Sequence, residues 1–385
     1  MAASEELGIK GIHNFHFFVE KPERSFDFYT RGFGWNEVAK SSAEMEERSG
    51  QQSKVYAAGD IDVLVSTPQS ESCRAARYLR RHPAGVGSIS FEVEDIDRAF
   101  KFLVEREATP IHKVEEVRDS QGGRFQHFSI TTALGDVSFR FIQKTDWEGF
   151  APGFEGLNGT SRGESNDFSF SHIDHITCNA QTMAPMKLWL EHVLGMEQCW
   201  DIEFHTEDIN KDATTGTGLR SVVMWDPRSG IKFPINEPLQ PFFKEGQINK
   251  FVEDNWGAGV QHIALLVDDV CEAVKTLRER NIQFLNTPGV YYDAAPERLA
   301  SQGVSVDNID HSMDRLRELG ILIDGSPVDN YLVQIFLKDA MTMYNEPKAG
   351  PFFFELIERC GDNGFGGGNF RALFEAIERD QQDDN

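Results

Sequence analysis

Two imidazoles and a carboxylate in the second half of the chain each sit inside a short apolar run: His175 in SHIDHITCN, His262 in GVQHIALLV and Glu355 in FFFELIER. On three buried strands such a set makes a one-sided metal site. Open positions opposite suit a non-haem Fe(II) that binds both a substrate and dioxygen. Glu355 stands among Phe352, Phe353, Phe354, Leu356 and Ile357. An unpaired charge there is costly, and a metal ion is one of the few partners that removes the cost. Plainer readings exist: a hydrogen-bonded core histidine, or a glutamate paired with Arg359. The same ligand types also serve catalytic zinc, so they leave iron and zinc open.

Period-2 alternation is the test a strand must pass. It puts Ile173, Thr177 and Asn179 on the face of His175, and Val260, Ala264 and Leu266 on that of His262. Phe353 and Ile357 share the face of Glu355, whereas Asp174 points away from the His175 face and His172 has the wrong parity to join it. Parity alone does not bring three strands together.

The elements that must position these residues occur twice. GIHNFHFFVE followed by PERSFDFYTRGFGWNEV parallels IDHITCNA followed by APMKLWLEHVLGMEQCW. GVGSISFEVEDIDRAFKFLVEREATPI parallels GVQHIALLVDDVCEAVKTLRERNIQFL, and DVSFRFIQK parallels PFFFELIER. Each copy reads as strand, helix opened by Asp-Ile or Asp-Val, and further strands, which predicts an α+β architecture of extended sheets with helices outside. The boundaries fall at 1–155, a Gly/Ser/Asn-rich linker at 156–170, and 171–385. Aligning the copies pairs His175 with His16, His262 with Ser88 and Glu355 with Arg140. Arginine is no ordinary metal ligand, so a site is expected in the second half only, with the first structural or lending contacts.

Composition narrows the partners. A net charge of −24 over 385 residues argues against nucleic acid and against an anionic membrane surface. A buried metal can still attract a small anion. Thirty Phe against seven Tyr make rings mostly space-filling or pocket-lining. The five cysteines, at 73, 178, 199, 271 and 360, form no CxxC and predict neither disulfides nor a zinc knuckle. With no leader-like start and no membrane-length apolar window, a cytoplasmic protein is expected.

The motifs IDHITCN, GLRSVV, IKFPINEP, GQINKFVEDN, GAGVQHIALLVDDV, YLVQIF, FFFELIER and GFGGGNFRALFEAIE resemble, in order, the 4-hydroxyphenylpyruvate dioxygenase family of the vicinal-oxygen-chelate superfamily. The resemblance spans about residues 170–380 and is looser in the first half. It implies Fe(II) on His175, His262 and Glu355, and tandem domains of βαβββ units, each an open eight-stranded half-barrel. It further implies a polar pocket of Ser221, Asn236, Gln247, Gln261 and Gln334, with Phe336 and Phe353 beside it. Asn369, Phe370 and Phe374 match the family's C-terminal gate helix. The implied reaction takes an arylpyruvate and O2 through oxidative decarboxylation, ring hydroxylation and side-chain migration to homogentisate, as in tyrosine catabolism. 4-Hydroxymandelate synthase, an extradiol dioxygenase and a non-catalytic binding protein are the competing readings, and a homo-oligomer, dimer or tetramer, is implied.

Some features have bland accounts. Asn236 in PINEP is also turn chemistry. Gly364 and Gly366 to Gly368 lack the lysine of a phosphate loop and fit a hinge for the final helix better. The segments at 208–218, 239–246 and 338–350 are longer than the family pattern and fall at loop positions.

Overall fold

The computed structural model describes residues 4–369 apart from 158–166, 171, 207–215, 217, 241–242 and 245. The duplicated pattern becomes two curled sheets. The first holds β1 (Ile9–Phe18), β2 (Asn36–Ser41), β3 (Gln51–Ala58), β4 (Ile61–Pro68), β5 (Gly85–Val93), β6 (Pro110–Arg118), β7 (Arg124–Thr131), β8 (Ser138–Thr145) and β9 (Phe154–Gly156). The second holds β10 (Ile173–Asn179), β11 (Glu197–His205), β12 (Gly218–Trp225), β13 (Lys232–Pro238), β14 (Gly259–Leu266), β15 (Leu322–Ser326), β16 (Asn330–Phe336) and β17 (Phe353–Cys360).

The first sheet runs β9-β2-β3-β4-β1-β5-β8-β7-β6 and the second β11-β12-β13-β10-β14-β17-β16-β15. Apart from β9 the two orders superpose strand for strand, as repeated βαβββ units require. Eight strands per half were expected, and the first sheet has nine. The extra strand forms because Phe154–Gly156, at the start of the connecting segment, pairs antiparallel with β2.

Local chemistry explains the repeat. The helices Ile96–Glu105 and Val270–Glu279 begin at Asp95 and Asp269, whose carboxylates accept the amide hydrogens of Arg98 and Glu272. Each cap satisfies an otherwise orphaned N–H. Ala99, Phe102 and Leu103 on one helix, and Ala273, Val274 and Leu277 on the other, are buried. They join the aromatic and aliphatic core that runs through both halves.

Strand register corrects one correspondence. On β1, His16 lies opposite Ser88 and Asn14 opposite Ser90; on β10, Thr177 lies opposite His262 and His175 opposite Ala264. Ser90 pairs with Arg140 as Ala264 pairs with Glu355. Ser88 and Arg140 therefore stand where His262 and Glu355 do. The counterpart of His175 is Asn14, while His16 occupies the place of Thr177. The first half keeps none of the three ligands.

The segment 338–350 is more than a loop. It carries the helix Ala340–Tyr344 and the turn Pro347–Ala349, and it docks on the first half. Glu346 pairs with Lys21 at 2.7 Å and with Arg24, and Lys348 pairs with Glu20 at 3.0 Å. Beside it, Phe354 on β17 lies 5.9 Å from Phe28 and 5.7 Å from Phe33 between ring centroids. No helix among the described residues is long and apolar enough to cross a membrane.

Candidate metal centre and pocket

β10, β14 and β17 are neighbours in the second sheet, so His175, His262 and Glu355 reach one buried point on its concave face. One ligand atom from each lies within 4.8 Å of the other two. His175 Nε2 is 3.3 Å and His262 Nε2 3.1 Å from the same oxygen, Glu355 Oε2. His262 Nε2 makes no well-directed hydrogen bond among the described residues. Convergence of two imidazoles and a carboxylate on a common buried point suits three donors to a shared ion.

The other ring nitrogens are held from behind. His175 Nδ1 is 2.8 Å from Asp174 Oδ1, and His262 Nδ1 is 3.1 Å from Gln261 Oε1. Arg359 donates to both Asp174 oxygens, Nε at 2.6 Å and Nη2 at 2.7 Å. A carboxylate or amide behind a ligating imidazole fixes its ring and leaves Nε2 free for a metal. Arg359, a possible partner for Glu355 from sequence, serves Asp174 instead. Parity points Asp174 away from the pocket, but the register shift between Ile173 and His175 lets its carboxylate reach the neighbouring ring.

Electrostatics favour a cation at this point. Burial works against a charged His175, but Glu355 and Asp174 outweigh it and push its pKa up to about 9. Burial likewise opposes the Glu355 carboxylate, yet the two imidazoles hold it down to about 2. Burial pushes His262 below its ordinary value and keeps it neutral, as a ligand must be. A proton on His175 thus stands where a metal ion would supply the positive charge.

The ligands form the floor of a cavity of about 1080 Å³, part of it open to solvent. Ser221, Asn236, Gln247, Gln261, Gln334, Phe336, Phe353 and Asn369 all line it. Phe370 and Phe374 lie outside the described residues. Ser221 and Asn236 are directly opposite on β12 and β13, and Asn236 Nδ2 donates to Asn179 Oδ1 at 3.0 Å. Phe353 stacks on the His262 ring at 5.0 Å, while Phe336 stands edge-on to it at 5.8 Å. Asn369 Oδ1 accepts from Tyr291 and from Arg298, and its Nδ2 has no partner among the described residues.

Sequence reasoning missed the mouth of the pocket. Phe365 lies edge-on to His175 at 5.4 Å and against Trp200 at 5.6 Å. The neighbouring glycines have a packing role where a hinge was expected. Gly366 has φ +65°, and a Cβ there would come within 2.5 Å of the Gln334 amide. At Gly368 the amide donates to Asp324 at 2.8 Å. The GFGGG run is the signal that such close approach needs.

Comparison with known proteins agrees with this architecture. The model of the Glyoxalase/Bleomycin resistance protein/Dioxygenase superfamily matches residues 11–130 and again 172–297, one match in each half. A 4-hydroxyphenylpyruvate dioxygenase of Dictyostelium discoideum is 30% identical over 97% of this chain and 99% of its own length. That of Caenorhabditis briggsae is 32% identical over 95% of this chain and 90% of its own. Among solved structures, a triple mutant of 4-hydroxymandelate synthase from Streptomyces coelicolor superposes with a TM-score of 0.77 at 24% identity, over 97% of this chain and 99% of that one. At that identity the likeness is one of fold.

Proposed function

This chain belongs to the 4-hydroxyphenylpyruvate dioxygenase family, and from that premise we propose that it converts 4-hydroxyphenylpyruvate and O2 to homogentisate and CO2 at an Fe(II) held by His175, His262 and Glu355. The observation that carries the reading is the convergence of those three side chains at the floor of a pocket walled by aromatic rings and amides. Bound Fe(II) would supply open positions for the keto acid and O2, and the substrate's own keto acid supplies the reducing electrons. Everything else falls to the chain.

Phe336 and Phe353, perpendicular to each other at 6.1 Å between centroids, form adjacent apolar walls beside the His262 ring, and a flat substrate ring fits against them. Ser221, Asn236, Gln247, Gln261 and Gln334 offer neutral donors and acceptors, which suit a phenol and a carboxylate without adding charge. Gln261 also steadies His262, so its amide is committed on one side. Trp200 and Phe365 narrow the mouth and keep water from the reacting atoms. Asn369, buried in the pocket lining, belongs to the proposed pocket, and the resemblance adds the gate-helix residues Phe370 and Phe374, which lie outside the described residues.

Product analysis tests the reading. Iron-loaded protein given 4-hydroxyphenylpyruvate should consume O2 and yield homogentisate by mass spectrometry. 4-Hydroxymandelate as the main product would replace ring hydroxylation by benzylic hydroxylation. Oxygen uptake with catechols but not arylpyruvates would make it an extradiol enzyme, and no turnover with iron bound would make it a binding protein. The family resemblance supports a dimer or tetramer, which sedimentation would resolve, and cell fractionation would test a cytoplasmic location.

A further inference from the structure

The concave face of the first half-barrel carries two arginines, Arg74 and Arg140. Register carries the pocket positions across: Arg140 stands at Glu355, Ser88 at His262 and His127 at Gln334. Arg74 opens the helix after β4 just as Gln247 opens the helix after β13. Two guanidinium groups thus occupy positions that in the sister barrel hold a carboxylate and an amide.

Neither arginine has an ion pair among the described residues, in a chain with 62 acidic side chains against 38 basic ones. Arg74 Nη2 donates to Gly87 O at 3.0 Å and to Ser138 Oγ at 2.6 Å, and its guanidinium lies over the Phe18 ring at 5.5 Å. Arg140 lies over Phe125 at 5.9 Å, and its buried Nε has no hydrogen-bond partner. Ser138 and Arg140 share a face of β8, so Arg74 approaches that face about 7 Å along the strand from Arg140. That span suits one small oxyanion bridging two guanidinium groups.

The surroundings do not already neutralise this charge. Burial first, and then the Arg74 charge, pushes Arg140 down to about 10. Burial and both arginines hold His16 well below its ordinary range, so it stays neutral, with Nε2 at 2.7 Å from Ser66 Oγ. Glu115 is the carboxylate whose charge reaches Arg140, but its side chain is 59% exposed and lies 3.5 Å from His112 and 3.7 Å from His127. Those two histidines and Glu115 form a cluster resembling a cation site, but a cation there would face Arg140. Buried charge of one sign left uncompensated is costly, and a bound anion removes that cost.

We propose that the concave face of the first half-barrel binds a small oxyanion, a phosphate or a carboxylate, between Arg74 and Arg140. The site stands apart from the metal reading of the second half, and iron content scored in parallel keeps the two separate. The test is calorimetric titration of the full-length, iron-loaded protein with inorganic phosphate and with phenylacetate, at constant ionic strength set by chloride. Saturable binding is expected for at least one anion. Arg140→Gln should weaken it by about tenfold or more with iron content unchanged, since one charged hydrogen-bonding partner is gone. Binding retained from the second barrel appears equally in both proteins, so the difference between them is the readout. A stronger response to phosphate assigns an inorganic or ester phosphate; a stronger response to phenylacetate assigns an organic acid. Arg74→Gln gives the same comparison should Arg140→Gln fail to fold. No saturable binding of either anion, or equal binding in wild type and variants, overturns the proposal.

Discussion

The first and second half-barrels share strand order and register, yet Asn14, Ser88 and Arg140 in one stand where His175, His262 and Glu355 stand in the other. The differences continue behind the ligands. His13 precedes Asn14 where Asp174 precedes His175, and Gly87 precedes Ser88 where Gln261 precedes His262. At Gly87 any side chain is excluded, because a Cβ would come within 2.4 Å of the Phe18 ring. At these positions one barrel therefore carries a candidate cation site together with its supporting residues, and the other does not. The scaffold supplies a concave face twice; the chemistry comes from a handful of positions on it.

The hardest way to break the comparison is Glu355→Arg, which gives the second barrel the residue of the first. Iron content and turnover should both fall below about a hundredth of wild type, a loss beyond that of removing a supporting residue, as measured by metal analysis and oxygen uptake. Retained iron would show that the ligand assignment is wrong.

The reverse exchange is the sharper one. Asn14→His, Ser88→His and Arg140→Glu, with Arg74→Gln to remove the adjacent charge, should give the first barrel a second metal equivalent. Its affinity should be roughly 10–100-fold weaker than that of the native centre, because no carboxylate stands behind the new imidazole. Cobalt(II) absorption would count the sites, and adding His13→Asp should tighten the weaker one.

Arg359→Leu leaves Asp174 buried without its two-pronged guanidinium partner. A loss of about 3 kcal/mol in urea unfolding is expected for a pair this enclosed. Gln261→Gly, copying the first barrel, should have the smallest effect. The His262 ring loses one hydrogen bond, so metal affinity should fall by less than about tenfold in a competition titration.

Much of this was legible in the sequence. The duplicated runs carried the repeated units of strand, helix and strands, the Asp-Ile and Asp-Val starts became real caps, and the face of each candidate ligand followed from alternation. The pairing of His16 with His175 failed for an instructive reason. A slip of two residues keeps every side chain on its face, so parity cannot detect it, and only the hydrogen-bonded register distinguishes Asn14 from His16. Asp174 was set aside by the same parity rule, which a register shift overrides. β9 and the docking of 338–350 depend on contacts between distant segments, which no local pattern contains.

β17 works on both sides. Glu355 faces the pocket, and the adjacent Phe354 faces the other way, into the Phe28 and Phe33 rings of the first half. The strand that carries the carboxylate is thus a party wall between two rooms. The second half is no portable cartridge: cut free, or spliced to a foreign first half lacking those rings, it would present a bare aromatic surface directly behind its own ligand. Tandem arrangement here is a condition for holding that strand, even though all the proposed metal chemistry lies on one side of it.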